Sequence, residues 1–344
     1  MKILRNGVDN LYDLIRPGIF YLTKNDPETA HELFVNFLRI LHSTGLEKFV
    51  LDSEEEKNGI QISNAAGFNK NGHIPPTALK HLGFDRVVVG SMTGESYEEN
   101  QRPRIIRFTD GKSLVNFMKL PGAGAEKVSK IMDGYGSHEV PITINIAPTP
   151  GKEGDLIFDD LQKSVRHTRD LPYVDRFELN ISCPNTGDER AKYQEKLSRM
   201  LGAVLYCTNP RQKLYIKVSP DLTFHDIDDI ISASLKFPIN GFTIANTTTK
   251  HDSKYISKSP GKGGASGDAV YEKSLEIQKM FYEKLRGRDD IKLIACGGID
   301  SVEKMNQRLN YGAEEIQIFT PLIFEGPKLL RNLRNNLEKT LQSK

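Results

Sequence analysis

Residues 176–186 read RFELNIS-CPNT: a short run with apolar alternate positions, Phe177, Leu179 and Ile181, that breaks into the polar cluster Asn180, Ser182, Cys183, Asn185 and Thr186. The first half has the length and pattern of a β-strand, and the second puts polar side chains where a parallel α/β protein gathers its active-site loops. Seven further runs repeat the form: GIQISNAAG (59–67), RVVVGS (86–91), ITINI (142–146), LYIKVS (214–219), GFTIANT (241–247), KLIACGG (292–298) and EIQIFT (315–320). Helical patterns separate them, and polar, glycine or aromatic residues follow nearly every apolar stretch. Eight such strands close a parallel barrel, so the fold expected is α/β, a (β/α)8 TIM barrel. An open doubly wound sheet would also alternate strand and helix, but the glycine fingerprint of a dinucleotide fold does not follow the first strand.

Upstream of the barrel, residues 10–49 read as helical, with a break at Arg16-Pro17 and a new start at Asp26-Pro27-Glu28. In the second helix Ala30, Leu33, Phe34, Phe37, Leu38 and Leu41 recur at helical spacing and form an apolar face. The division expected is a helical extension over residues 1–50 and a barrel over 51–344. Two helices outside a barrel can serve as a lid, a dimer contact or a membrane foot. The interval 92–141 is too long for an ordinary strand-to-helix connection and calls for a substantial loop over the barrel mouth.

Bulk composition narrows the partners. The 344 residues carry a formal charge of only +2, with lysines and arginines scattered among acids, which leaves no electrostatic footprint for nucleic acid. With 38% apolar and 27% charged residues the chain can bury a sizeable core. The three cysteines, Cys183, Cys207 and Cys296, lie too far apart for a zinc site, an iron–sulfur cluster or a disulfide framework, so no metal is expected and a reducing compartment fits. No run approaches the roughly 20 apolar residues that span a bilayer; a membrane would be touched, not crossed.

The strand ends suggest chemistry. After the last two strands come Cys296-Gly297-Gly298-Ile299-Asp300-Ser301 and Phe319-Thr320-Pro321, and Gly263-Gly264-Ala265-Ser266-Gly267 follows the sixth strand. Paired glycines let backbone N–H groups approach an anion, and this region of a barrel favours phosphate, although an isolated Gly-Gly is more often a plain turn. Cys183 between Asn180 and Asn185 could act on a flat, amide-rich ligand, or be inert packing; Cys207 and Cys296 read as structural. Lys217, inside the apolar run Tyr215-Ile216-Lys217-Val218, must be paired or face a charged ligand. Lys70, in AAGFNKNG, is either a ligand contact or a solvated loop residue. Asn145 and Asn246 place carboxamides within apolar strands, where a heterocycle or structural hydrogen bonds would satisfy them.

Taken in order, these segments resemble the dihydroorotate dehydrogenase family over roughly residues 11–335. AAGFNKNG resembles the family's first flavin loop, ELNISCPNTGD its base-bearing loop, IANTTT its orotate-binding strand end, and ACGGIDS with IFTPLIFEGP its phosphate region. The resemblance implies FMN held by Ala65, Ala66, Gly67, Ser91, Asn145, Lys217, Gly267, Gly297, Gly298 and Thr320. It implies dihydroorotate against Lys70, Asn116, Asn180, Asn185, Asn246 and Thr247, with Cys183 as the base that takes the C5 proton while hydride leaves C6 for the flavin. YDLIRPGIF and DPETAHE resemble the helical extension of the quinone-reducing, membrane-associated class, which places His31 and Arg107 at a quinone site and implies a cytoplasmic protein peripherally attached to the cell membrane.

Three features depart from that class. Cysteine stands where it normally has serine, as in the soluble classes; Lys119 in Asn116-Phe117-Met118-Lys119-Leu120-Pro121 replaces a usual glycine; and Phe319-Thr320 replaces Tyr-Ser. Alternatives at this stage are an FMN barrel acting on another dihydropyrimidine or enone, one using fumarate or NAD as acceptor, or a non-enzymatic sensor of a phosphorylated ligand.

Overall fold

The computed structural model describes residues 2–51, 60–98, 100–136, 138–181 and 190–341. Helices α1 (Lys2–Leu22) and α2 (Glu28–Ser43) and one short helix, α3 (Glu47–Leu51), precede strand β1 (Gln61–Asn64). There follow α4 (Pro76–Leu82), β2 (Val87–Met92), the hairpin strands β3 (Ile105–Phe108) and β4 (Ser113–Asn116), α5 (Ala125–Asp133), β5 (Ile142–Ile146), α6 (Leu156–Thr168), β6 (Val174–Asn180), α7 (Arg190–Cys207) and β7 (Lys213–Val218). The chain continues through α8 (Phe224–Ser234), β8 (Gly241–Ile244), β9 (Gly264–Gly267), α9 (Asp268–Lys284), β10 (Lys292–Cys296), α10 (Val302–Asn310), β11 (Ala313–Ile318), α11 (Thr320–Glu325) and α12 (Lys328–Leu341).

Eight strands pair in parallel in the order β1-β11-β10-β8-β7-β6-β5-β2, and each of the eight runs anticipated from sequence supplies one. The seam between β1 and β2 is closed largely by side chains. Asn64 Nδ2 donates to the Val88 carbonyl at 2.7 Å while Val88 N–H donates to Asn64 Oδ1 at 3.0 Å, so a carboxamide stands in for a peptide group. One step away, Ile62 N–H donates to Asp85 Oδ2 and Asp85 N–H to the Ile62 carbonyl, both at 2.8 Å.

The period of two in each strand divides the barrel into an apolar shell and a polar lumen. Ile142, Ile144, Ile146, Phe177, Leu179, Ile216 and Phe242 belong to the apolar core. Alternating with them, Arg176 on β6 pairs with Glu315 on β11 at 2.6 Å, and Glu315 also accepts from Ser63 on β1 at 2.7 Å. Strands β6 and β11 are not neighbours in the sheet, so these bonds cross the interior. Buried charges survive there because they are paired and hydrogen-bonded.

Three expectations are corrected. The break at Arg16-Pro17 does not occur: α1 runs through Pro17. Proline costs the helix one hydrogen bond, but tertiary ties in the turns just before it hold the segment: Tyr12 donates to the Ile323 carbonyl, Arg16 to that of Phe324, and Asp13 pairs with Lys328. The interval 92–141 is more than a loop, since β3 and β4 form an antiparallel hairpin there and α5 follows. Four residues of the glycine segment, Gly264–Gly267, form β9, which pairs antiparallel with β4 and completes a three-stranded flap. Long-range strand pairing of this kind leaves little trace in a local pattern.

On α2 the anticipated apolar face is divided. Leu38 and Leu41 are buried against the barrel, whereas Leu33, Phe37 and the adjoining Ile40 stay 55%, 44% and 61% exposed. Among the described residues no helix is long and apolar enough to cross a membrane.

Candidate functional site

The C-terminal strand ends open into a cavity of about 610 Å³ that extends out to residues of α1 and α2. Its barrel end collects Ala65, Ala66 and Gly67 after β1, Ser91 on β2, Asn116 on β4, Asn180 on β6, Lys217 on β7, Asn246 and Thr247 after β8, Gly267 on β9, Gly297 and Gly298 after β10, and Thr320 after β11. Lys70 lines it as well. Of the anticipated ligand contacts, Asn145 does not line the cavity: it is fully buried on β5, with Nδ2 donating to Glu178 at 2.6 Å and Oδ1 without a partner among the described residues. Cys183 and Asn185 lie outside the described residues.

The polar ends are pre-arranged. Asn246 Nδ2 donates to Asn180 Oδ1 at 3.3 Å, and Asn180 Nδ2 donates to Ser91 Oγ at 3.1 Å. Asn246 Oδ1 accepts from the Thr247 N–H at 2.9 Å, fixing that amide. Lys217, only 3% exposed, donates to Gln317 Oε1 at 3.2 Å and lies 3.8 Å from Glu178. A buried ammonium needs such partners, and here they leave it at the cavity wall.

Where β9 meets the end of β10, glycines of two segments converge. Gly267 and Gly298 both have positive φ, and a Cβ on Gly298 would sit 2.5 Å from the Gly267 carbonyl. Only glycine permits that approach, which leaves a narrow backbone cradle beside Thr320, whose hydroxyl donates to Ser266 at 2.9 Å. Beneath it lies Arg308, fully buried, donating to the Gly297 carbonyl at 3.1 Å and to Gln278 Oε1 at 2.9 Å. Burial pushes the Arg308 guanidinium down to about 10.

The outer end of the cavity is apolar. Ile15, Ile19, Phe20, Leu33, Phe34 and Phe37 line it, and His31 and Arg107 are among the polar groups that enter between them. His31 lies edge-on to Phe68 with centroids 5.5 Å apart, and burial lowers its pKa against the weaker opposing pull of Glu28. Arg107 lies 3.8 Å over the Phe20 ring and donates to the Phe20 carbonyl at 3.3 Å and Thr23 Oγ1 at 3.2 Å, leaving its buried Nε without a partner among the described residues. Phe319 lies between the two ends, within 5.3 Å of Phe68 and 6.0 Å of His31 by centroids. Lys119, exposed at the cavity wall, has φ of +64°, a left-handed conformation that glycine would adopt without strain.

Several contributors escaped the sequence reading. Glu178 and Gln317 follow Arg176 and Glu315 at a spacing of two along β6 and β11 and so share their face, and that period was the available signal. Arg308 carries no local signal, because its role depends on a helix packing under a loop. Cys296, read as structural, lines the cavity with its sulfur 4.0 Å from Lys217 Nζ, and burial raises its thiol pKa.

Comparison with known proteins matches residues 55–341 to the family model described as dihydroorotate dehydrogenase. A dihydroorotate dehydrogenase (quinone) from Natronomonas pharaonis is 32% identical, with 96% of this chain and 95% of the relative covered. One from Idiomarina loihiensis is 29% identical over 95% of this chain and 100% of the relative. Among solved structures, the Eimeria tenella enzyme in complex with ferulenol superposes with a TM-score of 0.80 at 22% identity, covering 96% of this chain and 95% of that one, which establishes likeness of fold.

Proposed function

The chain belongs to the dihydroorotate dehydrogenase family, and from that premise we propose that its cavity oxidises dihydroorotate to orotate with FMN and delivers the electrons to a quinone, as in pyrimidine biosynthesis. The observation that carries this is continuity: one cavity joins the polar ring at the strand ends to the apolar channel lined by α1 and α2.

The residues present fit FMN. The Gly267, Gly297, Gly298 and Thr320 cradle suits a phosphate, since backbone donors can come close where no Cβ intervenes. Lys217 offers a cation to an electron-rich ring edge, and Asn145, buried behind the cavity wall, has an Oδ1 with no partner among the described residues. Ala65, Ala66, Gly67 and Ser91 complete the wall. When bound, FMN supplies the two-electron acceptor that the side chains lack.

Around the substrate, Lys70 would pair with the carboxylate, and Asn116, Asn180, Asn246 and Thr247, with Asn185, would match the amide edges of the ring. Cys183 would take the C5 proton as the C6–H bond gives up its electron pair and the C5=C6 double bond forms. A thiol ionises more readily than the serine hydroxyl of the quinone class and needs less activation. At the channel end Arg107, whose Nε has no partner among the described residues, suits a quinone carbonyl, and neutral His31 suits the same apolar setting. Residues 1–50 then serve as the extension and 51–344 as the barrel. Leu22 at 81% exposure, with Leu33, Phe37 and Ile40, supports peripheral attachment of this cytoplasmic protein to a membrane that holds the quinone.

The visible spectrum of the purified full chain, before and after anaerobic dihydroorotate, tests the proposal. A flavin band that bleaches with dihydroorotate and returns on adding a short-chain quinone is the outcome expected. Absence of flavin would overturn the cofactor assignment, and a flavin that stays yellow would turn the substrate toward another dihydropyrimidine or an enone.

A further inference from the structure

Within the barrel a carboxylate occupies a position for which the proposed reaction has no direct use. Glu178 is fully buried one layer below the strand ends. Its Oε1 accepts from Asn145 Nδ2 at 2.6 Å, and its Oε2 accepts from Gln317 Nε2 at 2.9 Å and from the Thr243 hydroxyl. Lys217 Nζ lies 3.8 Å from Oε1 and donates to the far end of the same Gln317 side chain.

These contacts have a directional consequence. A carboxylate only accepts hydrogen bonds, so it turns the NH2 ends of both carboxamides toward itself. Gln317 is thereby left with its oxygen toward Lys217, which holds the ammonium in place. Asn145 is left with an oxygen free of partners among the described residues. Replacing Glu178 by an amide would let both carboxamides reverse. The second consequence is electrostatic: a cation buried beside an electron acceptor favours the reduced acceptor, and a carboxylate 3.8 Å from that cation offsets the effect in a medium where charges are poorly screened.

We propose that Glu178 is a positioning residue that acts through Lys217, fixing the ammonium and the carboxamides at the floor of the cofactor site and holding the bound flavin at a lower reduction potential than Lys217 alone would impose. The inference rests on the FMN reading above. A purely structural role for Glu178 would alter stability and leave the flavin's potential unchanged.

The test is the midpoint potential of the flavin in the purified full-length holoenzyme, measured by equilibration with reference dyes, for wild type, Glu178→Gln, Glu178→Asp, Lys217→Met and the Glu178→Gln/Lys217→Met double variant. Glu178→Gln is expected to favour two-electron reduction about tenfold, a positive shift of about 30 mV. Glu178→Asp, which keeps the charge, is expected to stay within about threefold of wild type, and the Gln substitution is expected to add nothing in the Lys217→Met background. Should Glu178→Gln fail to fold, Glu178→Thr removes the charge while retaining a hydroxyl near Gln317 and carries the same expected shift. An unchanged potential in the neutral variants, or an undiminished shift without Lys217, would overturn the proposal. Wild-type protein without flavin would instead overturn the cofactor reading on which it stands.

Discussion

Arg104, 1% exposed just before β3, donates through Nε and Nη2 to the two oxygens of Glu28 at 2.8 and 2.6 Å, and so ties the first turn of α2 to the flap over the barrel mouth. The bidentate fork matches the carboxylate geometry, and Arg102 reinforces it from 3.4 Å while pairing with Glu32. Removing one member of a buried pair costs about 3–5 kcal/mol, with the lower end expected here because Arg102 remains. Arg104→Met should therefore loosen α2 before the barrel. Quinone reduction is expected to fall at least tenfold while reduction of an artificial one-electron acceptor by dihydroorotate persists. Equal loss of both activities would show that the pair supports the barrel as a whole.

The β1–β2 seam makes a second, purely structural prediction. Asn64→Ala deletes the carboxamide that satisfies both the N–H and the carbonyl of Val88. Each buried group left unmade costs roughly 1–3 kcal/mol, and the barrel has few ladder bonds at this position to compensate. The urea unfolding midpoint is expected to drop by an amount matching about 2–4 kcal/mol with little change in slope. An unchanged midpoint would mean that water or a shifted backbone replaces the amide.

How far the sequence reveals this architecture depends on the range of the interactions involved. The eight strands are legible because each carries apolar residues on the face packed into the core, and their polar ends are legible because Asn180, Lys217, Asn246 and the 297–298 glycines follow or interrupt those residues. The Arg104–Glu28 pair spans 76 positions and the flap brings β9 onto β4 across nearly 150, and neither leaves a periodic mark. Pro17 misleads for the same reason, since local propensity forbids what Tyr12, Asp13 and Arg16 secure through contacts some 300 residues away. Glu178 was open to discovery, since it shares the period of two with Arg176 and Asn180, opposite the apolar Phe177 and Leu179, and a charged residue on that face must find partners inside the barrel.

The glycine cradle predicts a cofactor-retention defect. In Gly298→Ala the new Cβ would meet the Gly267 carbonyl at 2.5 Å and Tyr271 Cβ at 2.8 Å, on a backbone whose φ of +68° already disfavours a side chain. Neither obstacle is the flexible end of a side chain, so the two loops must separate. The flavin-to-protein ratio of the purified variant is expected to fall at least tenfold at micromolar concentration, with excess FMN restoring part of it. Full retention would place the phosphate elsewhere.

Cys183 predicts a separation of binding from chemistry. Cys183→Ala should retain FMN and bind orotate, seen as a perturbation of the flavin spectrum, while the anaerobic rate of flavin reduction by dihydroorotate falls by about 10²–10⁴, the usual contribution of a positioned base. Cys183→Ser should recover part of that rate with its pH dependence moved to higher pH, because a hydroxyl gives up its proton less readily. Unchanged reduction in the alanine variant would remove Cys183 from the mechanism.

His31 gives a pH prediction whose sign follows from its burial. Desolvation lowers its pKa below the ordinary 6.5, and the opposing influences of Glu28 and the Phe68 backbone are smaller. The unfolded chain, with an unperturbed histidine, therefore binds a proton before the folded chain does as the pH falls. Stability attributable to His31 is complete above pH 6.5 and declines below it, by at most about 1.4 kcal/mol per pH unit, until the folded-state pKa is passed. In the channel the same proton places a charge against the Phe68 and Phe319 rings, an apolar setting that disfavours it. The KM for a short-chain quinone is thus expected to stay level from about pH 8 to about pH 6.5 and to climb only on the acid side. His31→Leu is expected to flatten that climb and to remove the matching part of the acid-side loss in unfolding free energy, with KM for dihydroorotate unaffected. A climb that persists in the leucine variant would assign the titration to another group.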